Sequence, residues 1–111
     1  MASEVILIGS DQLGSGDPRL GKILLGNFLK ILCDRDSLPR FIILWNSGVK
    51  TAIADSNNLG YLMRLQERGV AIVSCRTCVE FFEIEGKIAV GEVIGLVRIL
   101  DILSAHSVLT V

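Results

Sequence analysis

Two cysteines two residues apart, in the stretch Cys75-Arg-Thr-Cys78, are the residues of this chain best suited to chemistry. A dithiol at this spacing can accept sulfur as a persulfide, attack a disulfide or bind metal. The run before it, Val70 to Ser74, reads as a strand. Thr77 is placed to cap a short helix running to about Phe82. A helix start offers free N–H groups and partial positive charge, which favour a thiolate, and Arg76 would add to this. Cys75, at the strand end, is therefore expected to have a lowered pKa and to matter more than Cys78. The competing reading is a pair of inert cysteines packed as small hydrophobes, but the spacing and the junction favour chemistry.

Other residues are weaker candidates. A closed zinc site takes about four ligands. The chain has no second cysteine pair, and His106 lies near the far end of the last helix, so no metal site is expected. Cys33, at the end of an amphipathic helix, reads as packing. Asn46-Ser47-Gly48-Val49-Lys50 offers an amide, a hydroxyl, turn N–H groups and a lysine that could steady an anionic sulfur. It reads equally well as an ordinary turn with a solvated lysine. The loop Gly9 to Gly16 lacks the Gly-Lys-Ser/Thr ending of a phosphate loop, which argues against nucleotide binding. Asp11 and Asp17 read as turn and cap residues.

These loops need a scaffold, and its elements follow from the apolar runs. Glu4 to Gly9, Arg40 to Trp45 and Val70 to Ser74 are buried strands; Val90 to Ile94 is a weaker one, loosened by Gly91, and Val108 to Val111 is the last. Asp17-Pro18 starts a helix whose apolar face carries Leu20, Ile23, Leu24, Phe28, Leu29 and Leu32. Leu38-Pro39 ends that segment. A second helix carries Leu59, Leu62, Met63 and Leu65, with caps on offer from Asp55 to Asn58, and stops at Gly69. Leu96 to Leu103 is a helix apolar nearly all round. Helices alternating with continuous apolar strands predict an α/β fold with a mainly parallel sheet covered on both faces. In such sheets, loops after strands open on one edge. Asn46, Ser47, Gly48, Cys75 and Cys78 are therefore expected to share one pocket.

Composition limits the function classes. The 111 residues suggest a single domain, residues 1–111. Half of them are hydrophobic and the mean hydropathy is +0.56. That is more apolar surface than so small a chain can bury, so a homo-oligomer, a dimer or trimer, is expected. The net charge of −1 and the absence of a basic run argue against nucleic acid. Phe41 to Trp45 is far too short to span a membrane, and the first residues do not resemble a signal peptide. Three cysteines make no disulfide framework. The expectation is a cytoplasmic protein with free thiols.

Four stretches together resemble a known family: Leu20 to Leu29, Leu38-Pro39, Trp45 to Lys50 and Gly69 to Cys78. They are similar to the DsrE/DsrF-like proteins, and most of all to the C-terminal domain of the YedF-type "sulfurtransferase-like selenium metabolism" proteins. The resemblance covers nearly the whole chain. It implies a three-layer α/β/α sandwich on a mainly parallel five-stranded sheet, oligomerisation, and passage of persulfide sulfur between donor and acceptor proteins. It places the reactive cysteine at Cys75, with Cys78 as second thiol. Sulfurtransferase-like chemistry with no organic cofactor is the leading expectation. Asn46, Ser47, Gly48, Lys50, Arg76 and Thr77 would surround the sulfur. A non-catalytic oligomeric binding or regulatory subunit and a dithiol redox protein are the alternatives. Arg76 and Glu83 stand where the family pattern has glycine.

Overall fold

A computed structural model describes residues 1–111. The five strands are β1 (Val5–Ile8), β2 (Phe41–Leu44), β3 (Ala71–Cys75), β4 (Glu92–Ile94) and β5 (Val108–Thr110). They form one sheet in the order β4-β3-β2-β1-β5, with every pair parallel. Four helices connect them: α1 (Pro18–Cys33), α2 (Leu59–Glu67), α3 (Arg76–Phe81) and α4 (Leu96–Ala105). Short 3-10 helices occupy Asn46–Ala52 and Glu85–Lys87. No helix is long and apolar enough to cross a membrane.

Strand residues alternate between two faces, and the two faces are covered unequally. Ile6, Ile8, Ile42, Leu44 and Ile72 lie under α1, α2 and the first 3-10 helix, in a cluster with Leu25, Leu29, Leu62, Leu65 and Val49. Val5, Leu7, Ile43, Val73 and Cys75 point the other way and pack with Ile94 and with Ile99 of α4. This is the α/β/α arrangement expected for a continuous apolar strand set.

Local chemistry accounts for the element ends. Asp17 caps α1: its Oδ1 accepts hydrogen bonds from the N–H groups of Arg19 (2.8 Å) and Leu20 (3.4 Å), with Pro18 in the first turn. Gly69 closes α2 with φ +97°, where a Cβ would be strained. The face that α1 buries differs from expectation. Gly21, Leu25, Leu29, Leu32 and Cys33 are buried, while Leu20, Ile23 and Leu24 face outward, Ile23 with 60% of its surface exposed. This helix is apolar on several sides, so its pattern alone does not choose a face. Gly21 helps choose it: a Cβ there would lie 2.8 Å from Gln12 Cβ and 2.9 Å from Leu13 O. Only glycine lets that row approach the β1–α1 loop. On α4 just Ile99 is fully buried, and Val97 and Leu100 are 79% and 63% exposed.

Two further expectations are corrected. Thr77 does not cap α3; the helix begins at Arg76 directly from β3, with Cys75 in the cap position and no side-chain cap. Asn46-Ser47-Gly48 is the start of a seven-residue 3-10 helix rather than an isolated turn.

Candidate functional site

The site is built where β2 and β3 end side by side. Leu44 pairs with Ser74, so the segments after them emerge together at the carboxyl edge of the sheet. From β2 comes Asn46 and from β3 comes α3. The Asn46 N–H donates to Cys78 Sγ at 3.0 Å. Asn46 Oδ1 accepts the Ser47 N–H at 2.8 Å.

A pocket of about 260 Å³ opens at this contact, lined by Asn46, Thr77, Cys78, Phe81 and Phe82. The two phenylalanine rings meet edge to face, with centroids 5.2 Å apart. Lys50 Nζ sits 4.4 Å from the centroid of the Phe82 ring, a cation–π contact. Phe81 is 78% exposed. A larger cleft, about 730 Å³, is lined by the N-terminal residues and the end of α1, and no cysteine lines it.

The two thiols differ in access. Cys75 is 1% exposed and belongs to the core under α4. Cys78 is half-buried, touches both cores and faces the pocket. Burial pushes the Cys78 thiol above its ordinary pKa; the Asn46 N–H pulls it down, and the neighbouring Cys75 pushes it up again. Arg76 gives no direct help: its Nη2 donates to Val93 O at 3.3 Å, toward β4.

The remaining candidates are thus partly gathered. Asn46, Thr77 and Cys78 line the pocket, Cys75 lies in the core beside Cys78, and Lys50 reaches it through the Phe82 ring. Ser47 turns toward the β1–α1 loop, where its hydroxyl donates to Ser10 Oγ (3.4 Å) and accepts the Asp11 N–H (3.3 Å). Gly48 packs on β1: a Cβ there would be 2.3 Å from Ile8 O, so no other residue fits without a shift. The single pocket expected for Asn46, Ser47, Gly48, Cys75 and Cys78 therefore contains only Asn46 and Cys78 at its lining. Phe81 and Phe82 were not anticipated as lining. Their spacing carried the signal, since residues three and four beyond Cys78 share its helix face.

The backbone is strained at the rim of the pocket. Asn46 (φ +50°) and Glu83 (φ +56°) are the two non-glycine residues with positive φ. Left-handed backbone costs an ordinary residue about 1–2 kcal/mol. At Glu83 it completes a helix stop: the Glu83 N–H donates to Glu80 O and the Ile84 N–H to Val79 O, each at 3.1 Å. That conformation explains why glycine suits this position. One further oddity is Ser74, whose buried hydroxyl has no hydrogen-bond partner.

No family model matches the chain, and no curated protein matches it in sequence. Solved structures do match in fold. The ychN protein of E. coli superposes with a TM-score of 0.66 over all of both chains, at 23% identity. A protein of unknown function, MTH1491 from Methanobacterium thermoautotrophicum, gives a TM-score of 0.68 over 96% of each chain, at 19% identity. With the all-parallel five-stranded sheet, these likenesses establish the DsrE-like α/β fold.

Proposed function

We propose that this chain carries sulfane sulfur as a persulfide on Cys78, with Cys75 as the second thiol. The observation that carries the reading is the Asn46 N–H donated to Cys78 Sγ at the wall of an open pocket. A main-chain donor aimed at a sulfur stabilises negative charge there, as oxyanion-hole donors do for oxygen. The Cys78 thiolate attacks the outer sulfur of a donor persulfide, R–S–SH. The new S–S bond forms on Cys78, the donor S–S bond breaks, and R–S⁻ leaves. The sulfane sulfur moves with no net oxidation or reduction. Reversal toward an acceptor thiolate delivers it.

The choice of Cys78 over Cys75 rests on access, since a thiol 1% exposed is closed to a donor. Lys50 holds Phe82 in place through its ring contact. The outward apolar residues of α1 and α4 support a homo-oligomer, a dimer or trimer, which light scattering at micromolar concentration tests. Donor and acceptor proteins would meet the Phe81 side of the pocket. The free thiols suit a reducing, cytoplasmic compartment.

The test is intact-mass measurement after incubation with a sulfane donor. The expected result is an adduct of about +32 Da, one sulfur atom, kept in Cys75→Ala and Cys33→Ala and lost in Cys78→Ala. An adduct that survives Cys78→Ala and vanishes in Cys75→Ala moves the role to Cys75. No adduct in any form leaves the binding-subunit reading. A Cys75–Cys78 disulfide without an adduct favours the dithiol redox reading, which the adjacency of the two thiols supports.

A further inference from the structure

The chain leaves β2 through Trp45 in an extended conformation, φ −139° and ψ 171°. It then reverses within two residues, since the Gly48 N–H reaches back to Trp45 O at 3.0 Å. Asn46 lies between, with φ +50°. Its amide is committed to Cys78 Sγ at 3.0 Å. From an amide held in that direction, the left-handed φ carries the chain back, so that Gly48 seats against Ile8 O. Ser47 then ties the turn to Ser10 and Asp11. The turn is thus anchored beyond Asn46 and aimed at the sulfur before it.

The Asn46 side chain does something different. Its Oδ1 accepts the next N–H, from Ser47, at 2.8 Å, and makes no contact with Cys78 that would hold the sulfur. Asparagine is the side-chain-bearing residue best adapted to left-handed backbone, because its short amide can bond locally. Glycine adopts the same conformation without strain. A β-branched residue is a true outlier there.

We infer that Asn46 is a positioning residue that works through its main chain: its left-handed turn lets the chain fold back onto β1 while its N–H stays on Cys78, and its side chain serves to ease that turn. The inference rests on the persulfide reading of Cys78 for its purpose, but not for its test. It runs against the usual assumption that a polar side chain beside a reactive sulfur is there to touch it.

The experiment compares Asn46→Gly, Asn46→Ala and Asn46→Val in the full chain. One readout is the rate of Cys78 alkylation against pH and the other is sulfur uptake from a sulfane donor. Asn46→Gly is expected to match the parent within about twofold in both, because the N–H and its direction survive. Asn46→Val is expected to alkylate about tenfold more slowly at neutral pH and to shift the profile to higher pH, the loss expected for a hydrogen bond to a charged group. Asn46→Ala falls between. Circular dichroism checks that each variant is folded; if Asn46→Val is not, the order of glycine above alanine decides the matter. Glycine as slow as valine, or as slow as an alanine variant that is itself well below the parent, overturns the inference by giving the work to the side-chain amide. An unchanged profile in all three variants overturns it by making the contact irrelevant. If the parent takes up no sulfur, the function reading fails, and the alkylation series still decides the role of Asn46.

Discussion

Cys33, at the end of α1, and Cys78, in the first turn of α3, have much in common as free thiols. Burial is the main reason that each is pushed above its ordinary pKa. They differ in the direction of one hydrogen bond. Cys33 Sγ donates to Tyr61 O at 3.4 Å, a bond that only the protonated thiol can make. Cys78 Sγ accepts the Asn46 N–H, a bond that strengthens when the sulfur becomes an anion. Cys33 is sealed between α1 and α2, whereas Cys78 opens on a pocket. Burial and shifted pKa alone do not separate an inert sulfur from one prepared for chemistry; donor direction and access do.

The largest effect that tests this contrast is selective labelling. In the folded protein Cys78 should react with a small alkylating agent at least about a hundredfold faster than Cys33 or Cys75, since burial leaves those two reactive only through local opening. Peptide mapping after brief labelling measures the ratio. Comparable labelling of Cys33 would break the comparison at its base.

A smaller effect concerns pH. Thiolate rises about tenfold per unit below the midpoint, so Cys78 alkylation should be about tenfold faster at pH 8 than at pH 7. Its midpoint should lie above that of the same cysteine in the unfolded chain, because the folded-state pKa is raised. The linked stability follows in sign. The folded protein keeps these two protons to higher pH than the unfolded chain does, so stability is full below the ordinary thiol value and falls as pH rises through it. A denaturant midpoint lower at about pH 10 than at about pH 7 agrees; a Cys78 alkylation midpoint below the unfolded-chain value contradicts it.

The smallest effect concerns the strained rim. Glu83→Gly should stabilise the protein by about 1 kcal/mol, by relieving left-handed strain and removing a negative charge from the C-terminal end of α3. Urea unfolding measures it. Sulfur uptake should stay within about twofold, because glycine keeps the same φ and Phe82 keeps its seat on Lys50. A destabilised variant would show that the Glu83 side chain, rather than its backbone, is what the rim requires.

Much of the frame was legible in the residues. Continuous apolar strands such as Val5-Ile-Leu-Ile and Phe41-Ile-Ile-Leu, separated by helical stretches, determine a parallel sheet with covered faces, because such strands have no polar side to show to water. Asp17-Pro18 and Gly69 marked helix ends through requirements local to a few residues. The Cys-x-x-Cys at the end of β3 and the Asn46 segment after β2 were legible as neighbours, because parallel strands open their following loops on one edge.

What needed the third dimension was orientation. Which arc of α1 turns inward depends on the close approach of Gly21 to Gln12 and Leu13, because this sixteen-residue helix is apolar on several sides. Arg76 is adjacent to Cys75 in sequence, yet its guanidinium leaves for Val93 on β4. Ser47 and Gly48 stand beside Asn46 in the chain, yet Ser47 turns to the β1–α1 loop and Gly48 to β1, because a 3-10 helix sends successive residues in different directions. Cys75 and Cys78 are equivalent in composition; a strand residue pointing into the α4 core buries one, and a helical residue at the pocket wall exposes the other. Sequence determines which groups share an edge of the sheet. The packing of that edge decides which of them face one another, because facing is set by contacts between elements far apart in the chain.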